Sequence, residues 1–260
     1  MKRTPPSPMR PLRALLLCVL AGCGAPPEPL PPGSHGAPGP RPLVASSFQR
    51  AKQLAARVYR DHRVTLYCGC PYDRDRRVQP QACGYVPRHR SRRSARVEWE
   101  HLVAAYEFGA QRACWRDELC LDASGRRYRG RRCCREVDGE FRRMEADLQN
   151  LSPEVGELNA DRNNFGFGDV QGEPRKYGAC DFEIDPETHT AEPPPDVRGD
   201  IARAYLYMHA IYGPAALPLG LATLERLEAW HRADPPTAWE YERDARIAAI
   251  QGVSNPWLQR

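Results

Sequence analysis

The chain of 260 residues carries 38 Lys and Arg against 33 Asp and Glu, a formal charge of +5, with 41% hydrophobic residues. Four of those bases and none of the acids fall in the first 22 residues, so the remainder balances 34 against 33 and a uniformly basic surface is excluded. What remains is a local bias: arginine outnumbers lysine 35 to 3, and the segment Gly125 to Arg135 holds six arginines and no acid.

In chain order, residues 1–22 combine Lys2, Arg3, Arg10 and Arg13 with an apolar run from Leu12 to Leu20, followed by small residues, which reads as a secretory signal. The run is too short to span a bilayer. Leu20-Ala21-Gly22-Cys23 also resembles the lipobox of bacterial lipoproteins. That resemblance implies acylation of Cys23 and, with Gly24 beside it, an outer-membrane anchor facing the periplasm or the cell surface. Residues 23–45 form a tether, semi-rigid because Gly24 to Pro42 contains eight prolines. Residues 46–260 show no internal repeat and are long enough to bury one core.

Within that domain Ser46 or Ser47 caps a predicted helix reaching about Asp61, with Phe48, Ala51, Ala55 and Val58 on one face. Val64 to Tyr67 alternates as a short strand, and the middle from Cys68 to Cys134 is rich in loops and arginine. Asp138 to Asn150 reads as a helix with Phe141, Met144, Leu148 and Leu151 along a core stripe, stopped by Pro153. Three more helices follow: Ile201 to Tyr212 behind Asp200, Leu219 to His231, and a last one opened by the capping box Thr237/Glu240 and closed after Gln251 by Gly252. The sum is an α+β domain, mainly helical.

Outside Cys18 and Cys23, eight cysteines remain: Cys68, Cys70, Cys83, Cys114, Cys120, Cys133, Cys134 and Cys180. An even number in an exported chain predicts disulfides that staple loops poor in apolar surface. Zinc is the competing use, but Cys68-Gly69-Cys70 and Cys133-Cys134 lack the two-residue gap of zinc knuckles. Connectivity is left open.

Two segments carry the chemistry: Arg96-Val97-Glu98-Trp99-Glu100-His101 and Met144 to Asn150. A histidine near its ordinary pKa is a free base at neutral pH, and carboxylate and amide oxygens suit a hard divalent cation, so together they supply what phosphodiester hydrolysis needs. Glu100 and His101 are adjacent, and on a regular strand they would point to opposite faces, so a shared site requires a strand end or a bend. Arginine forks in the Gly125 to Arg135 segment suit phosphate.

The chain resembles the bacterial endonuclease I family, exported non-specific nucleases with a ββα-metal (His-Me finger) active site. The matching blocks include Leu66-Tyr67-Cys68-Gly69-Cys70, Ala82-Cys83-Gly84-Tyr85, Arg96 to Val103, Met144 to Leu151, Val155-Gly156-Glu157-Leu158-Asn159, Asp161-Arg162 and Tyr205-Leu206-Tyr207-Met208. They continue through Ile250-Gln251-Gly252 to Asn255-Pro256. The resemblance implies that His101 is the general base and that Glu100 and Asn150 hold one Mg2+, a site Mn2+ or Ca2+ can also occupy. Magnesium keeps several waters on so small a donor set, one of which can protonate the departing 3′ oxygen. The implied products carry 5′ phosphate and 3′ hydroxyl ends. The implied substrates are double- and single-stranded DNA and also RNA, and the implied state is a monomer touching the membrane only through its lipid.

The family's phosphate-contacting arginine falls where this chain is rewritten, leaving Arg126, Arg127, Arg131 and Arg132 as candidates. Family cysteines at the position of Tyr241 and near the carboxy terminus are absent, as one lost disulfide would look, with Cys133 or Cys134 in a replacement clip. Asn159, Asp161, Arg162 and Asn163 read as a hydrogen-bonded turn bracing the metal helix, and Trp99, Trp115 and Trp239 as packing. Two other classes stand beside the nuclease. One is a catalytically impaired, lipid-anchored nucleic-acid-binding protein. The other, a zinc peptidase, is disfavoured because Ala105 stands where a second histidine would be needed.

Overall fold

A computed structural model describes residues 41–259 except Glu173, so the signal segment, Cys23 and most of the tether lie outside the described residues. The first helix, α1 (Phe48–Val58), starts where expected, with the Ser47 hydroxyl accepting from Arg50 N. It buries Ala51, Ala55 and Val58. Val64 to Tyr67 is not a strand. Val64 makes a single bridge to Pro71, and the rest is turn.

Strand β1 (Val97–His101) is followed by α2 (Ala105–Gly109) and α3 (Ala113–Arg116). A small hairpin of β2 (Cys120–Leu121) and β3 (Arg127–Tyr128) leads into α4 (Arg131–Val137). Next comes α5 (Gly139–Glu145), whose N-cap Asp138 accepts from Glu140 N and Phe141 N.

The helix expected through Asn150 stops at Glu145. A 3-10 turn covers Leu148–Asn150, and β4 (Leu151–Val155) then pairs antiparallel with β1, His101 opposite Leu151 and Glu100 opposite Ser152. Asp147 starts the turn by accepting from Gln149 N. Pro153 does not end a helix. It sits inside the strand opposite Trp99, where its missing N–H costs little, and its carbonyl accepts from Leu66 N.

Directly after β4 comes α6 (Gly156–Arg162), closed by Asn163 at φ +55°. The residues read as a turn are therefore the end of a helix packed on the β1–β4 pair. A third small sheet, in the order β5 (Gly166–Phe167), β7 (Thr190–Glu192), β6 (Glu183–Asp185), has no counterpart in the sequence reading.

The C-terminal helices α7 (Arg198–Tyr212), α8 (Leu221–Ala233) and α9 (Ala238–Gln251) lie within a few residues of their expected bounds. The last carries the Thr237/Glu240 capping box and ends at Gly252 in the left-handed region. Helix α7 is buried nearly all round, so it acts as the central post of the core. Its tyrosines reach polar side chains of other elements: Tyr205 donates to Glu107 of α2, and Tyr207 and Tyr212 donate to the buried Asp147. Among the described residues no helix is long and apolar enough to cross a membrane.

All eight cysteines pair: Cys68–Cys180, Cys70–Cys83, Cys114–Cys134 and Cys120–Cys133. The last two both lie in the arginine-rich segment and use the vicinal Cys133 and Cys134. Cys68–Cys180 closes by far the longest loop, 112 residues, so its removal costs most. On the chain-entropy account a loop of that size contributes about 4 to 5 kcal/mol and the 13-residue loops about 3 kcal/mol. The pair Cys68→Ser/Cys180→Ser is expected to lower the denaturant midpoint more than Cys70→Ser/Cys83→Ser. Equal midpoints would contradict the loop-length account.

Candidate active site

Glu100 and His101 are the last residues of β1, and their side chains leave it toward different neighbours. Glu100 is 2% exposed; its Oε1 accepts from the Tyr67 hydroxyl at 3.1 Å and from Arg162 Nη1 at 3.0 Å. Burial raises its carboxyl to about 7, against the pull of the adjacent Arg162 guanidinium and the Tyr67 hydroxyl. Oε2 takes no hydrogen bond among the described residues.

Arg162 is fully buried, and each N–H of its guanidinium is used. Nη1 also donates to His101 O at 2.8 Å, Nη2 to Leu102 O and the Tyr205 hydroxyl, and Nε to Phe165 O. The plane lies 4.4 Å from the Phe167 ring centroid. One side chain of α6 thus fixes both the carboxylate of Glu100 and the backbone where β1 ends.

His101 turns the other way, against Phe48 at the start of α1, with ring centroids 4.7 Å apart. Its Nε2 lies 2.8 Å from the carbonyl oxygen of Glu145. A carbonyl only accepts, so Nε2 carries the proton and Nδ1 keeps the lone pair. Burial lowers the imidazole to about 4, and the positive charge of Arg131 adds to that, so the ring is neutral at physiological pH.

Glu145 serves twice. Its backbone orients His101, while its carboxylate accepts from Arg131 Nε at 2.6 Å and from Arg135 Nε at 2.7 Å. Burial pushes this carboxyl up, but the hydrogen bond from Arg135 and the charge of Arg131 more than reverse it, holding it below its ordinary value. Both arginine side chains remain about two-fifths exposed, at 40% and 42%, so part of each fork faces outward beside His101.

Of the four candidate arginines, Arg131 alone reaches this cluster; Arg135, which sequence reasoning passed over, joins it from the next turn of α4. Arg126 pairs with Asp122, Arg127 donates to Glu118 O, and Arg132 sits over Tyr128 near Glu136. The i, i+4 spacing of Arg131 and Arg135 was the signal that could have selected them.

Asn150 is fully buried, and its carboxamide is spent on one partner: Oδ1 accepts from Val103 N at 2.7 Å and Nδ2 donates to Val103 O at 3.0 Å. It holds the chain leaving β1 against the start of β4, a structural bridge rather than an open ligand. The amide with freedom is Asn159. It is half-buried on α6, one turn before Arg162 and on the same side of the helix, and its carboxamide takes no hydrogen bond among the described residues.

Among the described residues no three His, Cys, Asp or Glu converge as a metal cluster. A hydrated magnesium ion needs no such cluster. One carboxylate with an open oxygen and one amide suffice when water fills the other positions. Glu100 and Asn159 fit that description.

Residues 51–260 match the family described as Endonuclease I. The chain is 44% identical over 225 residues to an extracellular deoxyribonuclease of Aeromonas hydrophila, an overlap of 84% of this chain and 92% of that protein. A periplasmic deoxyribonuclease of the same species is 41% identical over 222 residues, 83% of this chain and 86% of the relative. An Endonuclease-1 of Buchnera aphidicola subsp. Acyrthosiphon pisum is 34% identical over 217 residues, 82% of this chain and 81% of the relative.

Proposed function

The chain belongs to the endonuclease I family, and from that premise we propose that it is an exported, magnesium-dependent endonuclease that hydrolyses DNA, and RNA, without sequence preference. Export and DNA as substrate are supported by relatives named extracellular and periplasmic deoxyribonucleases. The observation that carries the chemistry is the commitment of His101 Nε2–H to the Glu145 carbonyl, which leaves Nδ1 as a neutral base beside two outward-facing arginines.

In this reading β1, β4 and α6 form the ββα-metal motif. His101 Nδ1 takes the proton of the attacking water, Arg131 and Arg135 bind the phosphate oxygens, and Glu145 holds both the imidazole and the arginines in register. Arg162 opposes the upward pull of burial on the Glu100 carboxyl and holds it at the end of β1. Glu100 and the amide of Asn159, with Asn150 bracing the loop behind them, would hold the magnesium ion. When bound, that ion supplies positive charge against the charge growing on the phosphate and on the departing 3′ oxygen. In-line attack leaves a 5′ phosphate and a 3′ hydroxyl. Absence of base selectivity follows because phosphate contacts carry no sequence information. A lipid on Cys23 and a monomeric state complete the proposal.

The test is nicking of supercoiled plasmid by the oxidised protein with magnesium or with chelator. Cleavage in magnesium and none in chelator is expected, and Asn159→Ala is expected to need at least about tenfold more magnesium. Asn150→Ala should lower stability by about 1 to 3 kcal/mol by leaving the buried Val103 N–H and C=O unsatisfied. Plasmid that is retarded but uncut would leave the binding-protein reading. A magnesium requirement moved by Asn150→Ala and not by Asn159→Ala would return the amide role to Asn150.

A further inference from the structure

The β2–β3 hairpin lies between α3 and α4, and of these elements the site described above uses only α4. Asp122 ties the turn by accepting from Ser124 N, the Ser124 hydroxyl and Arg126 N. Cys120–Cys133 pins the hairpin to α4, and Cys114–Cys134 pins α4 to α3. Gly130, at φ +87°, turns the chain from the hairpin into α4, a conformation that L side chains rarely adopt. The result is a rigid projection.

Two of its arginines differ from the largely buried ones that tie the core together. Arg112, Arg162, Arg198, Arg203 and Arg246 all meet carboxylates. Arg127 and Arg129 are exposed and meet only neutral backbone oxygens: Arg127 Nη1 donates to Glu118 O at 3.2 Å and Arg129 Nη1 to Arg116 O at 2.8 Å. Among the described residues neither has a carboxylate partner. Both guanidinium groups are therefore oriented by the fold, uncompensated in charge, and left with N–H groups facing water.

Position supplies the rest. Arg129 is two residues and Arg127 four residues before Arg131, which stands beside His101. An extended chain covers at most about 3.5 Å per residue, so their Cα atoms lie within about 7 and 14 Å of that of Arg131. A nucleic-acid strand carries a phosphate about every 3.4 Å of helix axis. We propose that Arg127 and Arg129 form an arm that grips phosphates within a few nucleotides of the one being cut, so that the hairpin positions the strand for His101. The proposal rests on the nuclease reading. The exposed Leu119 and Leu121 on the same hairpin would also suit an anionic membrane surface, which the test must separate.

The experiment compares the full oxidised protein with its Arg127→Gln/Arg129→Gln variant, which leaves every cysteine and Arg131 in place. Duplex binding is measured in chelator across a salt series, and cleavage is measured in magnesium on a long duplex and on a trinucleotide. Loss of two phosphate contacts should reduce the slope of log affinity against log salt by about 2 and raise KM on the duplex roughly tenfold. The loss should fall on KM rather than kcat, and the trinucleotide should be spared. An unchanged slope in a protein that still cuts overturns the arm. Wild-type protein that binds with a salt slope but never cuts sinks the nuclease reading, while the change in slope still decides the arm. Lost binding to anionic phospholipid vesicles with an unchanged DNA slope assigns the hairpin to a membrane and overturns the proposal.

Discussion

Replacing His101 with alanine is expected to slow plasmid cleavage at least about a hundredfold while leaving DNA affinity within about twofold. The expectation follows from the proposed division of labour: Nε2 is fixed by the Glu145 carbonyl and Nδ1 is the proposed base, so the variant loses that base but keeps Arg131 and Arg135, the proposed phosphate contacts. His101→Asn sharpens the test, because an amide can still donate toward that carbonyl yet offers no comparable base. Equal losses in the two variants identify proton transfer as the missing contribution. Activity kept in His101→Ala would place the base elsewhere. Phosphate binding should itself tune the group: burial and the nearby charge of Arg131 depress the imidazole, and an anion that engages Arg131 relieves part of that repulsion.

The second large effect belongs to stability. Arg162→Met is expected to destabilise the fold by about 3 to 5 kcal/mol, because it strands the Glu100 carboxylate and several carbonyl oxygens in a dry interior. Urea unfolding measures it. The informative comparison is the double variant with Glu100→Gln: removing the stranded charge should recover part of the loss, so the two changes should not add. Strict additivity would mean that Arg162 acts through its carbonyl contacts alone. In either variant cleavage should be lost, since the end of β1 is no longer held.

Much of the helical frame was legible in the sequence because its punctuation is local. Ser47, Thr237/Glu240 and Gly252 cap the helices they were expected to cap, and the helix expected from Asp138 starts directly after it. What escaped was non-local. Leu151 reads as the end of the stripe of a helix over Asp138 to Asn150, and Pro153 as its stop; only pairing with β1 makes Leu151 to Val155 a strand. The fate of Asn150 depends on that pairing, since Val103 becomes its partner only once the strands meet. Glu100 and His101 stood out by residue type and do lie at a strand end, although their side chains diverge, and the groups that orient them, the Arg162 guanidinium and the Glu145 carbonyl, come from elsewhere in the chain. Disulfide partners were invisible for the same reason. Arg135 is a different case: helical spacing from Arg131 was available and unused.

The pairing of β1 with β4 has a further consequence. These two strands bracket a segment of about fifty residues, and that segment contains α2, the hairpin and the Cys114–Cys134 and Cys120–Cys133 disulfides. Closing a loop costs free energy that rises only logarithmically with its length, so doubling such a segment adds about 0.6 kcal/mol. The bracketed region can therefore lengthen, shorten or change its staples at little thermodynamic expense to the strands that hold His101 and Glu100. Substrate handling in this architecture is free to diverge while the chemistry stays fixed.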